Sequence, residues 1–554
     1  MLLGIDVGGT FTDAVIIDGG TIVSSAKRRT TKENLMNGIT DALGAVMSGA
    51  DPAQIEQVTL STTVVTNTIV EHKEQPVDLY VVAGPGRNVD DIFPVRPVYL
   101  KGYTDHRGIV VERTDVEGIH QLANMVQAKS GTDLAAVSAK FGVRNPKEEI
   151  DVAQALADTY HTISTGSALS GNLNFPRRTI SAYFNSAVAS VFKEFKNAVY
   201  HALDTFHITA PVYILKADGG SLPIDTVESI PVETVFTGPA ATVLGLEALR
   251  STKDAHTVAL DIGGTTTDIS LWKQGKPLMT KEGVSIREYP SAVRSFAVTS
   301  VGIGGESAVR YEDGKLMVGP ERIGPSVALG GTIPTLGDAL IVLGNAHYGD
   351  EQKAYDAIAQ IDTTIDAKTM AQRIVDEAVR VVKQGIDMVV AKENKRPIYV
   401  VADIVHPDPF VPAQLVIVGG TAASLGPIIG DQLGLPVHIP ADAAVANAIG
   451  AGVANHTMAI TVHVDTKRRT MVVPELGIQD KSSSLRSADA VAKVAYGLLC
   501  EAAQEQGLVP QGTMPAIETI SVEDFPVVDG WQSMERIITV KVQLKAGVSG
   551  YVES

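Results

Sequence analysis

Short apolar runs and longer stretches of helical period take turns along most of this chain. MLLGI (1–5), AVII (14–17), DLYVVAG (78–84), DLAAVSAKF (133–141), TVAL (257–260), ISLW (269–272) and QLVIV (414–418) are brief and bounded by Gly, Thr or Asp. Such runs predict strands buried on both faces. EGIHQLANMVQAK (117–129), EIDVAQALADTY (149–160) and TGPAATVLGLEALR (237–250) repeat their apolar positions every three to four residues and predict helices. TVVTNTIVEH (63–72) predicts a helix entered through Thr or Ser, and 177–206 reads as one long amphipathic helix. Strands alternating with helices imply crossover connections and a largely parallel sheet. After about residue 456 the texture changes. ITVHVDTKRRTMVVP (460–474) alternates as antiparallel strands do, a helix is predicted over 488–507, and IITVKVQLKAGVS (537–549) is strand-like. The expected division is therefore 1–185, 186–455 and a small α+β unit at 456–554.

One octapeptide occurs twice in the same setting. DVGGTFTD at 6–13 returns as DIGGTTTD at 261–268, each between apolar runs, so the chain holds two copies of one strand–turn–strand unit. Adjacent glycines let the backbone turn tightly and expose N–H groups, threonine hydroxyls add donors, and a carboxylate stands at the strand end. That is a cradle for a phosphate chain with an Asp beside it for a divalent cation. Two cradles facing one another would clamp a nucleoside triphosphate. A third turn, VIVGGTAASLG (416–426), places Gly419, Gly420 and Thr421 where backbone could approach a base or ribose. The order is phosphate, phosphate, adenosine.

Composition narrows the classes. A chain of 554 residues exceeds one ordinary core, and 45% apolar residues with 51 glycines suit an α/β protein. A net charge of −17 argues against a nucleic-acid-binding surface. Cys500 is the only cysteine, so no internal disulfide, thiolate zinc site or iron–sulfur cluster can form, and a reducing cytoplasm is the expected setting. Its position in AYGLLCEAA predicts a small buried residue. No uninterrupted apolar run reaches the ~18 residues of a membrane span, and no signal peptide is expected. GxxxxGK[ST] and GxSxG are absent. DIVHPDPF (403–410) offers Asp403, His406 and Asp408 as metal donors, although a proline-broken exposed loop is the preferred account of them.

The order of the three turns resembles the actin, sugar-kinase and heat-shock-chaperone ATPase superfamily. Five stretches narrow the resemblance to the hydantoinase A and 5-oxoprolinase family: GIDVGGTFTDAV (4–15), STTVVTNTIVEHK (61–73), FTGPAATVLG (236–245), LDIGGTTTDIS (260–270) and GPERIGPSVALGGTIPTLGDALIVLG (319–344). The resemblance implies duplicated actin-like (ribonuclease H-like) ATPase domains flanking a nucleotide cleft. It implies ATP and Mg²⁺, with Asp6 and Asp261 on the metal and Gly8, Gly9, Thr10, Gly263, Gly264 and Thr265 on the phosphates. Thr12, Thr267, Asp13 and Asp268 add hydrogen bonds or cap the turns, while Gly419, Gly420 and Thr421 lie against the nucleoside. Asn67 and Asp338 match family positions and either line the substrate cleft, where they would be catalytic, or serve as structural hydrogen-bonding residues. GIGGES brings Gly304 and Gly305 to a nucleotide-side loop, with Glu306 where the family commonly has a third glycine. The activity implied is ATP-dependent opening of a cyclic amide, such as a hydantoin or 5-oxoproline, by phosphorylation of its carbonyl oxygen, with a second hydantoinase-type subunit and an oligomeric state. A carboxylase-type carbonyl-activating subunit, a small-molecule kinase and a nucleotide-driven regulator or reactivating chaperone are the alternatives.

Overall fold

In a computed structural model the described residues are all except 31–34, 87–89, 252–254, 281, 397–404, 406, 483, 528–534 and 554. Strand Leu2–Val7 pairs antiparallel with Phe11–Asp18, which pairs antiparallel with Thr21–Arg29. On its other side Leu2–Val7 runs parallel to Gln57–Thr62, which runs parallel to Val212–Leu215. The strand Ser221–Pro223 completes this six-stranded sheet. The same plan recurs with Thr257–Ile262 at its centre. That strand lies antiparallel to Thr267–Lys273 and parallel to Gln414–Val418, with Val298–Val301 on the far edge and Val437–His438 beyond Gln414–Val418. The repeated octapeptide thus marks the first hairpin of two like-wound sheets, the duplicated α/β architecture that was expected.

The first sheet does not stop at residue 185. Its last strands lie at 212–223, inside the 186–455 segment expected to form the second half. The strands Asp78–Val82, Val98–Tyr99, Leu134–Ala139 and Thr162–Thr165 leave it altogether and form a separate four-stranded parallel sheet. Parallel strands carry the same continuous apolar signature whichever sheet they join, and the pattern alone could not separate the two. The long helix over 177–206 is interrupted at Val188 and gives Phe175–Ala187 and Ala189–Thr205.

The halves meet through two helices of small residues, Thr237–Ala248 and Ala446–Gly452. Contact is close enough that a Cβ on Gly245 would lie 2.1 Å from the Ala446 carbonyl oxygen, and one on Gly450 would lie 2.0 Å from that of Ala241. Ala446–Gly452 also lies on the first strand, where a Cβ on Gly4 would sit 2.0 Å from the Ala448 carbonyl oxygen. This is small-residue packing of backbone on backbone.

The C-terminal segment is α+β as expected: a five-stranded antiparallel sheet covered by helix Ala488–Glu505. Its buried Ile460, Val462, Ile538 and Val540 run without a break into the core of the first half. Cys500 is buried on that helix. Among the described residues no helix is long and apolar enough to cross a membrane.

Candidate functional site

Both octapeptide turns fold alike. The Gly8 N–H donates to the Phe11 carbonyl (3.0 Å) and the Gly263 N–H to that of Thr266 (3.0 Å), leaving Gly9–Thr10 and Gly264–Thr265 at the two tips. None of these glycines takes a positive φ. Gly8 alone among them lacks room for a side chain: a Cβ there would sit 2.8 Å from the Phe11 carbonyl oxygen, whereas those on Gly9, Gly263 and Gly264 would meet nothing closer than 3.4 Å. The tips face each other, since a Cβ on Gly264 would lie 3.5 Å from Thr10 Cγ2. Asn67, on helix Val64–Val70, flanks the first tip with its amide nitrogen 3.4 Å from where a Gly9 Cβ would be.

Beneath the tips lie four carboxylates. The strand register sets Asp6 opposite Asp13 and Asp261 opposite Asp268. Asn447, on Ala446–Gly452, joins the two halves: its Nδ2 lies 3.3 Å from Asp6 Oδ2 and 3.3 Å from Asp261 Oδ2. The Ser61 hydroxyl donates to Asp6 Oδ1 (2.5 Å) and the Thr242 hydroxyl to Asp261 Oδ2 (2.6 Å). Lys27 Nζ reaches Asp13 Oδ2 (2.6 Å) and the Ala444 carbonyl (3.1 Å), which ties the first half's outer strand to the approach to that helix.

Burial dominates the protonation of this group. It raises the Asp6 carboxyl above its usual range despite the Ser61, Lys27 and Asn447 contacts. It pushes Asp13 up to about 7 against the pull of Lys27, and Asp268 up to about 6 with help from the Asp261 charge. Like charges opposed across a hairpin repel, and Asp13 Oδ1 is buried without a hydrogen-bond partner. The donor set fits a hard divalent cation that keeps several waters. Among the described residues no three His, Cys, Asp or Glu side chains close into a protein-only metal cage. An ion taking its remaining ligands from water and phosphate needs no such cage.

The third turn follows strand Gln414–Val418 and lies against Asp261. Gly419 has φ +96°, and a Cβ there would collide with Asp261 Oδ1 at 2.4 Å. The Thr421 N–H donates to the Ile262 carbonyl (3.1 Å), while Gly420 faces Lys27.

Other expected residues have internal duties. Thr12 is fully buried against the Thr30 hydroxyl, and the fully buried Thr267 hydroxyl donates to the Ile303 carbonyl (2.7 Å). Gly304 and Gly305 brace the second turn: their N–H groups go to Ser307 Oγ (2.8 Å) and the Gly263 carbonyl (3.0 Å). Asp338 is fully buried and accepts from the Val327, Ala328 and Thr335 N–H groups and the Thr335 hydroxyl. Its geometry is that of a helix cap, because its oxygens are already engaged. Glu306 is paired on both sides: Arg322 Nε lies 2.6 Å from it, and Arg29 of the first half 3.5 Å. Asp403 and His406 lie outside the described residues, and Asp408 lies 3.6 Å from both Lys273 and His256.

Asn447, Thr242, Ser61 and Lys27 were missed. Asn447 stands 441 positions from Asp6, and a lone amide in a helix of alanines and glycines carries no spacing signal. Lys27 had one, since it is the only cation of its strand that the register places opposite Asp13.

Two like-wound halves, hairpin tips face to face and a helix pair between them define an actin-like ATPase fold. The chain belongs to the hydantoinase/oxoprolinase family: the family's sequence profile matches residues 178–460 and its N-terminal-region profile residues 2–160. Caprolactamase subunit alpha of Pseudomonas jessenii is 26% identical over 383 residues, covering 62% of this chain and 54% of that subunit. The match therefore spans about half the length of that relative. The acetophenone carboxylase gamma subunit of Aromatoleum aromaticum is 25% identical over 540 residues, covering 86% of this chain and 70% of its own. Among solved structures, the ATP-dependent caprolactamase of Pseudomonas jessenii superposes with a TM-score of 0.70 at 20% identity, over 98% of this chain and 87% of that one.

Proposed function

We propose that this chain binds Mg²⁺-ATP between its two hairpin tips and transfers the γ-phosphoryl group to the carbonyl oxygen of a cyclic amide. The observation that carries the reading is the set Asp6–Asn447–Asp261 beneath facing turns, in which each half contributes a carboxylate to one buried point. When bound, the cation would neutralise the phosphates and supply a Lewis acid at the γ-phosphoryl. Asp6 and Asp261 hold it through water, Gly9–Thr10 and Gly264–Thr265 present backbone N–H groups to the phosphates, and Gly419–Thr421 meets the nucleoside. In the step itself the amide oxygen attacks phosphorus, the bond to the β-phosphate oxygen breaks, and ADP and a proton leave. An amide is a poor electrophile, and the phosphorylated imidate accepts water far more readily. Collapse of the water adduct expels the ring amine and leaves an acyl phosphate, which a second water hydrolyses to the ring-opened acid and phosphate. In-line positioning and charge neutralisation supply most of the acceleration.

The relatives named as subunits support a partner chain, and the reading assigns the water step to it. A carboxylase-type role is the second reading. It is favoured by the acetophenone carboxylase subunit, whose match covers 86% of this chain. Phosphate release from Mg²⁺-ATP, measured across hydantoins, 5-oxoproline, other lactams and ketones with and without bicarbonate, tests both. Stimulation by a ring amide, lost in Asp6→Ala and Asp261→Ala, supports the first reading. Ketone stimulation that needs bicarbonate supports the second, and no nucleotide binding overturns both.

A further inference from the structure

Two guanidinium groups, one from each half, converge on a single carboxylate between the hairpin tips. Glu306 is 7% exposed. Its backbone N–H donates to the Gly264 carbonyl (2.6 Å), and its Oε2 lies 3.5 Å from where a Gly264 Cβ would be, so the carboxylate is set against the second tip. From the second half, Arg322 Nε donates to Glu306 Oε2 (2.6 Å). From the first, Arg29 Nη2 lies 3.5 Å from Glu306 Oε1.

Arg29 ends strand Thr21–Arg29 beside the first tip. The register sets it opposite Phe11, whose ring its guanidinium overlies at 5.9 Å, and the next residue, Thr30, donates its N–H to the Thr10 carbonyl (2.9 Å). Lys27, two residues back, has its Cε 4.0 Å from the Cβ position of Gly420 in the third turn. Two residues of strand span about 7 Å. A nucleotide whose nucleoside rests on Gly419–Thr421 therefore brings the far end of its phosphate chain, rather than the near end, to Arg29.

The charges here do not close on themselves. Among the described residues neither arginine has a second acidic partner, so two positive charges share one negative charge. Arg29 is also the looser of the two. Its side chain is 49% exposed and its contact is 3.5 Å, against 21% and 2.6 Å for Arg322. An exposed pair of that length contributes little when intact, which leaves this guanidinium free to change partners. Mg²⁺-ATP keeps a net negative charge, which attracts the arginines and repels the carboxylate.

We propose that Glu306 stands in for phosphate. In the empty cleft it holds Arg29, and the terminal phosphate of ATP takes Arg29 from it while Arg322 stays on Glu306. Arg29 is then a phosphate-binding residue that neutralises charge on the transferred group from the first half. The inference rests on the nucleotide reading above and deepens it.

Calorimetry on the full chain, with Mg²⁺ and either a non-hydrolysable ATP analogue or ADP, tests this alongside thermal melts of each variant. Arg29→Gln is expected to weaken the ATP analogue about tenfold and to leave ADP unchanged. Arg29→Lys should recover part of the loss. Glu306→Gln is expected to act with the opposite sign: the empty protein melts lower, yet binds the ATP analogue about threefold more tightly. Should a stranded Arg322 unfold that variant, Glu306→Gln with Arg322→Gln leaves neither charge unpaired and should tighten binding likewise. A pair that only links the halves would weaken binding whichever partner is removed. A loss or no change on removing Glu306 therefore overturns the proposal. An equal loss of ADP affinity in Arg29→Gln overturns the assignment to the terminal phosphate. If the parent binds both nucleotides and no variant shifts either, the nucleotide site stands and the role of Arg29 falls. If the parent binds neither, the underlying reading falls first and takes this one with it.

Discussion

Asp13 sits where two demands conflict: the turn needs its carboxylate, and burial opposes its charge. With its carboxyl raised from 3.8 to about 7, the folded state holds a proton that the unfolded chain releases above pH 3.8. The stability this group contributes is therefore present below pH 3.8 and lost as pH rises through about 7. Asp268, raised to about 6, adds to the same slope, as does Glu233, raised by burial to about 7. The ligand-free protein should lose stability across this window, at up to about 1.4 kcal/mol per pH unit for each such group. Asp13→Asn should flatten the slope in thermal melts, and Mg²⁺-ATP should oppose it by taking the place of the proton. Asn447 carries a separate expectation. Among the described residues its amide is the only side chain bonded to both Asp6 and Asp261, so Asn447→Leu leaves two buried acceptors short of a donor, at roughly 1–3 kcal/mol. Urea unfolding would read that loss, and calorimetry should show weaker Mg²⁺-ATP binding. Unchanged nucleotide affinity would remove Asn447 from the site.

At the scale of elements, the three turns were legible because each is contiguous: a strand end, two glycines and a threonine. What each glycine does was less legible. Gly419 needs its positive φ, whereas Gly8, Gly9, Gly263 and Gly264 do not, because backbone torsions are absent from composition. The crossing helices were readable as small-residue segments, but their pairing was not, since the contact spans 205 positions between Thr242 and Asn447. That crossing makes a sharp prediction. Gly450→Val would drive a side chain into the Ala241 carbonyl, whose oxygen lies 2.0 Å from the Cβ position. Helix backbone cannot yield locally, so the helices must separate at a cost of about 3 kcal/mol or more. Asn447 would be carried away from Asp6 with them. Loss of stability and of nucleotide binding should therefore appear together in this variant. Gly497, on the C-terminal helix with open space at its Cβ position, is the control whose change to Val should leave nucleotide affinity unaltered.

For the whole molecule, the question is what holds two halves in register around a shared site. Part of the answer is a segment the sequence did not announce. Residues 282–292 leave the second half and lie on the first. Arg177 donates to the Gly283 and Ser291 carbonyls (3.4 and 2.9 Å), and the Ala292 N–H donates to Ser181 Oγ (2.9 Å). At the tip, Arg287 meets Glu74 at 2.6 Å, with 16% and 11% of the side chains exposed, and also bonds His72. Short strands, scattered charges and partners over 200 positions away give such a strap no periodic signature. A pair this buried costs more to break than it contributes when intact, because the remaining charge is stranded. Arg287→Leu should destabilise by roughly 3 kcal/mol, whereas Arg287→Leu with Glu74→Leu should recover much of that loss. If the strap also sets how the hairpin tips face, the double variant should regain stability yet still bind Mg²⁺-ATP more weakly than the parent. Parental affinity in the double variant would mean that the helix crossing alone holds the tips together. Arg29, which reaches across to Glu306 at 3.5 Å beside the second tip, is the remaining contact to remove in that case.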